Sequence, residues 1–202
     1  MAALPTDIEL PAELPGPWDW PAIFGRVAPV ELELGFGKAR FLLQAAQARP
    51  ETDFLGVELS RKWFAEGKRR LLTVEAPPPN LRILRAEALG VLAAKVPEAS
   101  LAALHVYHPD PWPKRRHHKR RLLGPAFRSE ALRVIAVGGE LRITTDHAEY
   151  AALIERLFAG EPRLARLDWG EDALPGTHFE VKYRREGRAI HRFRWRRLEG
   201  SP

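Results

Sequence analysis

Four carboxylates stand where successive apolar runs end: Glu33, Glu58, Glu87 and Asp110. One acid in such a place is common, but a series aimed at one crevice is not expected from solubility alone. If the apolar runs are parallel strands, the acids converge beyond the strands' carboxyl ends, where open α/β sheets bind ligands. The first acid belongs to Glu31-Leu32-Glu33-Leu34-Gly35-Phe36-Gly37, a strand running into a tight turn and then a helix. Gly35 and Gly37 allow backbone conformations closed to other residues and a close approach of main chain to ligand. A dinucleotide fingerprint would need a third glycine at position 40, which is Arg40. A pair of glycines alone marks an ordinary turn as readily as a binding site.

The acids narrow the ligand class. Carboxylates accept hydrogen bonds and repel phosphate, so the ligand should offer donors and positive charge. S-adenosylmethionine has a ribose diol, two amino groups and a sulfonium, and lacks the phosphates usually held at helix N-termini. Glu58, about two dozen residues after the glycine turn, stands where an acid accepts from both ribose hydroxyls.

A second motif runs from His108 to Arg121, His-Pro-Asp-Pro-Trp-Pro-Lys-Arg-Arg-His-His-Lys-Arg-Arg. Prolines on both sides of Asp110 hold its carboxylate in a stiff turn. The basic run that follows reads as a flexible phosphate clamp beside a rigid reaction centre, the alternative being a solvated loop. His105, His108, His117 and His118 lie close together, but their cationic neighbours and spacing fit no metal-ligand pattern. No metal is expected. The chain has no cysteine, which excludes disulfides, thiolate nucleophiles and Cys-based zinc sites.

These residues need a scaffold. The 202 residues are 45% hydrophobic, enough for one substantial core. Net charge is +6, mostly from arginine, which favours a polyanionic partner. No apolar run reaches the roughly 18 residues of a membrane span, and the proline-rich start does not read as a signal peptide. A cytoplasmic protein, monomeric or homodimeric, is expected. Residues 1–28 carry Pro5, Pro11, Pro15, Pro17 and Pro21 and read as an irregular arm anchored by Trp18, Trp20 and Phe24. Residues 29–202 are expected to form one domain that carries the site. Strands are predicted at Val30–Leu34, Phe54–Glu58, Leu81–Leu84, Leu101–Tyr107, Glu140–Thr144, Arg163–Asp168 and Ile190–Arg197, with the last two pairing antiparallel at a sheet edge. Helices are predicted at Lys38–Ala48 and Trp63–Glu75, and after Leu89, Pro125 and His147. The alternation describes an α/β sheet. The stretch from Lys182 to Arg197 interleaves arginines with Tyr183, Phe193 and Trp195, a composition suited equally to a nucleic-acid surface and to a charged edge strand.

In Pro29–Gly37, Phe54–Glu58, Asn80–Arg82, Pro109–Lys114, Lys119–Arg121, Thr145–Asp146 and Thr177–Glu180 the chain resembles the bacterial tRNA (guanine-N7)-methyltransferase family. The resemblance implies a seven-stranded Rossmann-like methyltransferase sheet, mostly parallel with an antiparallel last strand and helices on both faces. It implies S-adenosyl-L-methionine as cofactor and, as substrate, the guanosine at position 46 in the tRNA variable loop. It assigns Glu33, Gly35, Gly37, Glu58, Glu87 and Asp110 to the cofactor, and Lys114, Asp146, Thr177, His178, Phe179 and Glu180 to the substrate. Asp110 is also the candidate catalytic residue. Ala39, Glu87, His147 and His178 depart from the family's usual residues. A methyltransferase of small molecules, proteins or other RNA, and a non-catalytic RNA-binding protein, stay open on the residues alone.

Overall fold

The computed structural model describes residues 8–170 and 186–200. Thr177, His178, Phe179 and Glu180 lie outside the described residues, as do Lys182, Tyr183, Arg184 and Arg185.

The strands are β1 (Val30–Leu34), β2 (Asp53–Val57), β3 (Leu81–Leu84), β4 (Leu101–Tyr107), β5 (Ile135–Thr145), β6 (Leu164–Leu167) and β7 (His191–Arg197). They form one sheet in the order β3-β2-β1-β4-β5-β7-β6. The first five are parallel, and β7 inserts antiparallel between β5 and β6. The chain leaves β1 for β2 on one side and returns to β4 on the other. This switch point opens a crevice above the carboxyl ends of β1 and β4.

The helices are α1 (Trp20–Phe24), α2 (Arg40–Ala48), α3 (Arg61–Leu72), α4 (Ala88–Lys95), α5 (Pro125–Val134) and α6 (Ala148–Phe158). Side chains alternate across each strand. Leu32 and Leu34 join Leu104, Val106, Leu141 and Ile143 in a core with α4, α5, α6 and α1. The other face of β2 and β3 packs Phe54, Leu81 and Ile83 against Phe41, Leu42, Phe64 and Leu71 of α2 and α3.

Beyond shifts of one to three residues at several element ends, two features differ from the sequence expectation. The proline-rich arm contains a short helix, because Pro21 sits in its first turn, where no intrahelical donor is needed. The arm is otherwise anchored through its aromatics as expected: Trp18, Trp20 and Phe24 are buried in the main core with Leu10 and Ile23, and the Leu10 N–H donates to the Ile83 carbonyl. Strand β5 starts five residues early, at Ile135, directly after α5, and its register against β4 shifts between Leu101 and Ala103. Periodicity missed that first half because Gly138 and Gly139 interrupt it.

Asn80 ties helix α2 to the sheet on one face of this scaffold. Its buried amide donates to the carbonyls of Ala46, Arg49 and Thr52 at 3.1, 3.1 and 2.6 Å, tying the end of α2 to the start of β3. Replacing Asn80 with alanine leaves carbonyls short of donors and should cost about 1–3 kcal/mol. A urea titration should show a lower midpoint with an unchanged slope, and Asn80→Asp, which brings charge and no donor, should be worse.

Candidate functional site

The glycine turn is built by backbone geometry. Gly35 has φ 76° and Gly37 φ 54°, and a Cβ on Gly35 would point into open space. Behind the turn α3 packs closely: a Cβ on Gly67 would lie 2.7 Å from the Gly37 carbonyl oxygen. Ala39 takes the left-handed conformation, φ 52°, as it leads into α2.

Glu58 follows β2 and holds this turn. Its carboxylate accepts the Gly37 N–H at 3.0 Å and the Ser60 N–H at 2.7 Å. Ser60 in turn caps α3 by accepting from the Trp63 N–H. Glu33, at the end of β1, is 3% exposed, and its Oε2 has no hydrogen-bond partner among the described residues. Burial pushes the Glu33 carboxyl up to about 8, with the Glu58 charge adding to the rise. Glu58 is raised too, chiefly by burial; the N–H groups of Ser60 and Gly37 oppose the shift and Asp110 adds to it. Glu87 is the cap of α4, its two oxygens accepting from Leu89 and Gly90 at 2.9 and 2.6 Å.

On the other bank, β4 ends in the turn that carries Asp110. His108 and Trp112 bracket it with φ 49° and 42°, conformations rarely adopted by bulky residues and held only by surrounding structure. Arg121 supplies that support. Its guanidinium donates to the Pro111 carbonyl at 2.7 Å and to Glu149 at 3.0 Å, lies over the Tyr150 ring, and is 3% exposed. The basic run coils into a 3₁₀ helix, Arg115–Arg120, on which Lys119 and Arg120 are exposed. Within the run read as one phosphate clamp, Arg121 therefore braces the turn while Lys119 and Arg120 face solvent. Asp146, after β5, accepts from Arg188 at 3.0 Å and lies 3.7 Å from His108.

These elements enclose a cavity of about 960 Å³ lined by Gly35, Gly37, Glu58, Glu87, Asp110 and Asp146, with Lys119, Arg120 and Arg121 along one side. Glu33 lies directly before the lining residues Leu34 and Gly35. Lys114, exposed at the start of the 3₁₀ helix, does not line the cavity. Sequence reasoning assigned no role to Leu59, 61% exposed, or to Leu89 and Ala86, which supply apolar wall. The position of Leu59 beside a strand-end acid was the available signal. By sequence Arg188 reads only as one of the basic residues between Lys182 and Arg197, and the fold brings it to Asp146.

The four histidines face different partners: His105 meets Glu31 and Tyr107, His108 approaches Asp146, His117 lies against Arg116 and Trp112, and His118 approaches Glu149.

Residues 27–193 match a protein family described as "Putative methyltransferase". The chain is 42% identical over 182 residues to the tRNA (guanine-N(7)-)-methyltransferase of Bordetella pertussis, covering 87% of this chain and 70% of that protein. It is 41% identical over 184 residues to the protein of the same name from Rhodococcus jostii, covering 89% and 70%. This chain belongs to the tRNA (guanine-N(7)-)-methyltransferase family. Among solved structures it is similar to the 16S rRNA methyltransferase KamB, with TM-score 0.60 and 16% identity over 87% of this chain and 90% of that one. TrmN from Thermus thermophilus aligns with TM-score 0.57 and 18% identity, over 88% and 49%. Both likenesses are to the methyltransferase sheet. The switch-point cavity of this methyltransferase therefore sits where the fold class binds its ligands.

The Glu33 shift carries a measurable sign. Between about pH 4.5 and 8 the folded protein keeps a proton that the unfolded chain releases, so stability from this group is lost as pH rises through that window. Glu33→Gln should be more stable than the wild type, with a gain that grows from pH 5 to pH 8.5 to at most a few kcal/mol. Thermal melts across pH read it directly; a gain independent of pH would show that Glu33 titrates normally.

Proposed function

We propose that the protein is a cytoplasmic enzyme that transfers a methyl group from S-adenosyl-L-methionine to N7 of a guanosine in tRNA, the variable-loop guanosine at position 46. The observation that carries this reading is the single cavity that joins the glycine turn and Glu58 to Asp110 and the exposed cations of the 3₁₀ helix.

The residues fit the cofactor. Each Glu58 oxygen accepts one backbone N–H and retains a lone pair for a ribose hydroxyl. Gly35 leaves its space open, and Leu59, Ala86 and Leu89 offer an apolar seat for a flat base. The unpartnered Oε2 of Glu33 lies beneath this bank and can give up its proton when positive charge arrives nearby. Glu87 is committed to capping α4, so its share in cofactor binding is the smaller one.

When bound, S-adenosyl-L-methionine would supply an electrophilic sulfonium methyl for the N7 lone pair, so that its positive charge would end on the base with sulfur leaving neutral and no proton to move. The protein's task is alignment and charge. Holding two reactants in line removes roughly 7–11 kcal/mol of barrier in favourable cases. Asp110, fixed by its prolines and by Arg121 beneath Pro111, presents a carboxylate that favours the base as it becomes cationic. His108, Arg188 and Asp146 close the same end of the cavity. Lys119 and Arg120 face solvent there and suit phosphates of a bound RNA. Lys114, Thr177, His178, Phe179 and Glu180 complete the proposed substrate set.

The direct test is mass mapping of tRNA treated with purified protein and cofactor. A single 7-methylguanosine in the variable loop is expected; methylation of another base or of no RNA would replace this reading. Glu58→Ala should weaken cofactor binding by at least tenfold, as expected for losing hydrogen bonds to a charged group, with tRNA affinity nearly intact. Calorimetry separates the two.

Asp110 gives a second test. In single-turnover assays both Asp110→Asn and Asp110→Ala should slow methyl transfer sharply with little change in tRNA binding if the group acts through its charge. Activity kept by Asn but lost by Ala would instead assign it to orienting the guanine edge. Near-wild-type rates in the Ala variant would remove it from the reaction centre.

A further inference from the structure

We propose that the indole of Trp112 is the face on which the target guanine stacks, in the place that the Arg120 guanidinium takes here, and that it favours the base more as N7 becomes cationic. The inference rests on the reading of the cavity as an N7-methylation site and adds the residue that recognises the charge of the product.

Trp112 lines the cavity two residues beyond Asp110. Its φ of 42° is strained for a bulky side chain, and strain of this kind persists where the surrounding structure enforces it. The Arg120 guanidinium lies 5.0 Å from the Trp112 ring centroid, and the His117 ring stands perpendicular to it at 5.7 Å. Among the described residues Arg120 forms no ion pair and no hydrogen bond through its side chain. Among the described residues the indole is thus its partner, and a competing cation or flat base can displace it.

The other tryptophan and the tyrosine of the cavity have other contacts. The Trp63 ring lies on the Glu58 bank with Lys38 and Lys62 at 5.4 and 5.0 Å. Tyr107 is 7% exposed and bonds His105 through its hydroxyl. Trp112 remains on the Asp110 bank, beside the basic helix.

The chemistry fits this position. An enzyme that acts on one base of a folded RNA must take it out of its stack, and an aromatic side chain replaces the lost stacking. Guanine enters neutral and leaves as a cation. An aromatic face attracts cations, so an indole against the ring gains interaction as the reaction advances, which is binding directed at the transition state. Asp110 and Trp112 then act together, one through charge and one through its π face. The released Arg120 is free to meet a phosphate.

The test uses the full chain with Trp112→Ala and Trp112→Phe. Single-turnover methylation of tRNA at saturating cofactor should fall at least tenfold in the Ala variant and stay within about threefold of wild type in the Phe variant, with cofactor affinity unchanged in both. A charge readout uses guanosine monophosphate and 7-methylguanosine monophosphate as probes, at a pH where the methylated base is cationic. The wild type and Phe variant should bind the methylated nucleotide more tightly, and in the Ala variant that selectivity should shrink to the part that Asp110 supplies. Unchanged rate and selectivity in the Ala variant would overturn the proposal, as would equal losses in Ala and Phe accompanied by weaker cofactor binding, which would assign Trp112 to the turn. If the wild type made no 7-methylguanosine in tRNA, the preceding reading would fail on its own.

Discussion

The Glu58 carboxylate holds two otherwise separate pieces of chain together. One oxygen takes the N–H of Gly37, from the turn after β1, and the other takes the N–H of Ser60, at the start of α3. Charge-assisted bonds of this kind are about twice as strong as neutral ones. The carboxylate is buried enough for its acidity to be weakened, so the two donors offset part of the burial cost. Removing it would loosen the glycine turn and the helix start at once, along with any ligand they hold.

Behind the cavity the sheet is not a plain apolar layer. Ionised Glu31 accepts from Arg49 and lies 2.9 Å from the Nε2 of His105, whose Nδ1 is 2.8 Å from the Tyr107 hydroxyl. Burial would raise the Glu31 carboxyl, but His105 and Arg49 hold it down at about 2. Burial keeps His105 below its usual range, against the pull of Glu31. A neutral imidazole that donates from Nε2 and accepts at Nδ1 satisfies the whole chain. Each member has its partner, the condition under which a buried polar network rigidifies rather than destabilises. The network ends at Tyr107, one residue before the turn that carries Asp110.

The same face continues into β5 and β7 as an ion-pair ladder. Glu140 accepts from Arg142, Arg194 and Arg196, and its carboxyl is held at about 2: burial would raise it, and the Arg194 and Arg142 contacts prevail. The arginines of β7, equally readable as an RNA surface or a charged edge, are here largely committed within the sheet. Nor is β7 an edge strand, since β6 covers its outer side. The exposed cations beside the cavity, Lys119 and Arg120, lie on the 3₁₀ helix instead.

Local sequence was enough for the strand and helix alternation, because apolar periodicity and proline or glycine stops act over a few residues. It placed β1, β3 and β4 at their observed bounds, and marked the glycine turn and the proline-flanked acid by residue type alone. Tertiary structure decided what those residues could reach. Glu87 turned back to cap its own helix, and Lys114 stayed outside the cavity. Arg121 went under the turn while Lys119 and Arg120 faced solvent, three neighbours that no local pattern separates. The arm joined the core because its tryptophans and Leu10 find apolar surface only on the assembled sheet. The Arg188 contact to Asp146 and the burial that raises Glu33 depend on elements distant in sequence. Residue type sets which interactions are possible, and the distances and desolvation that select among them exist only once the strands are side by side.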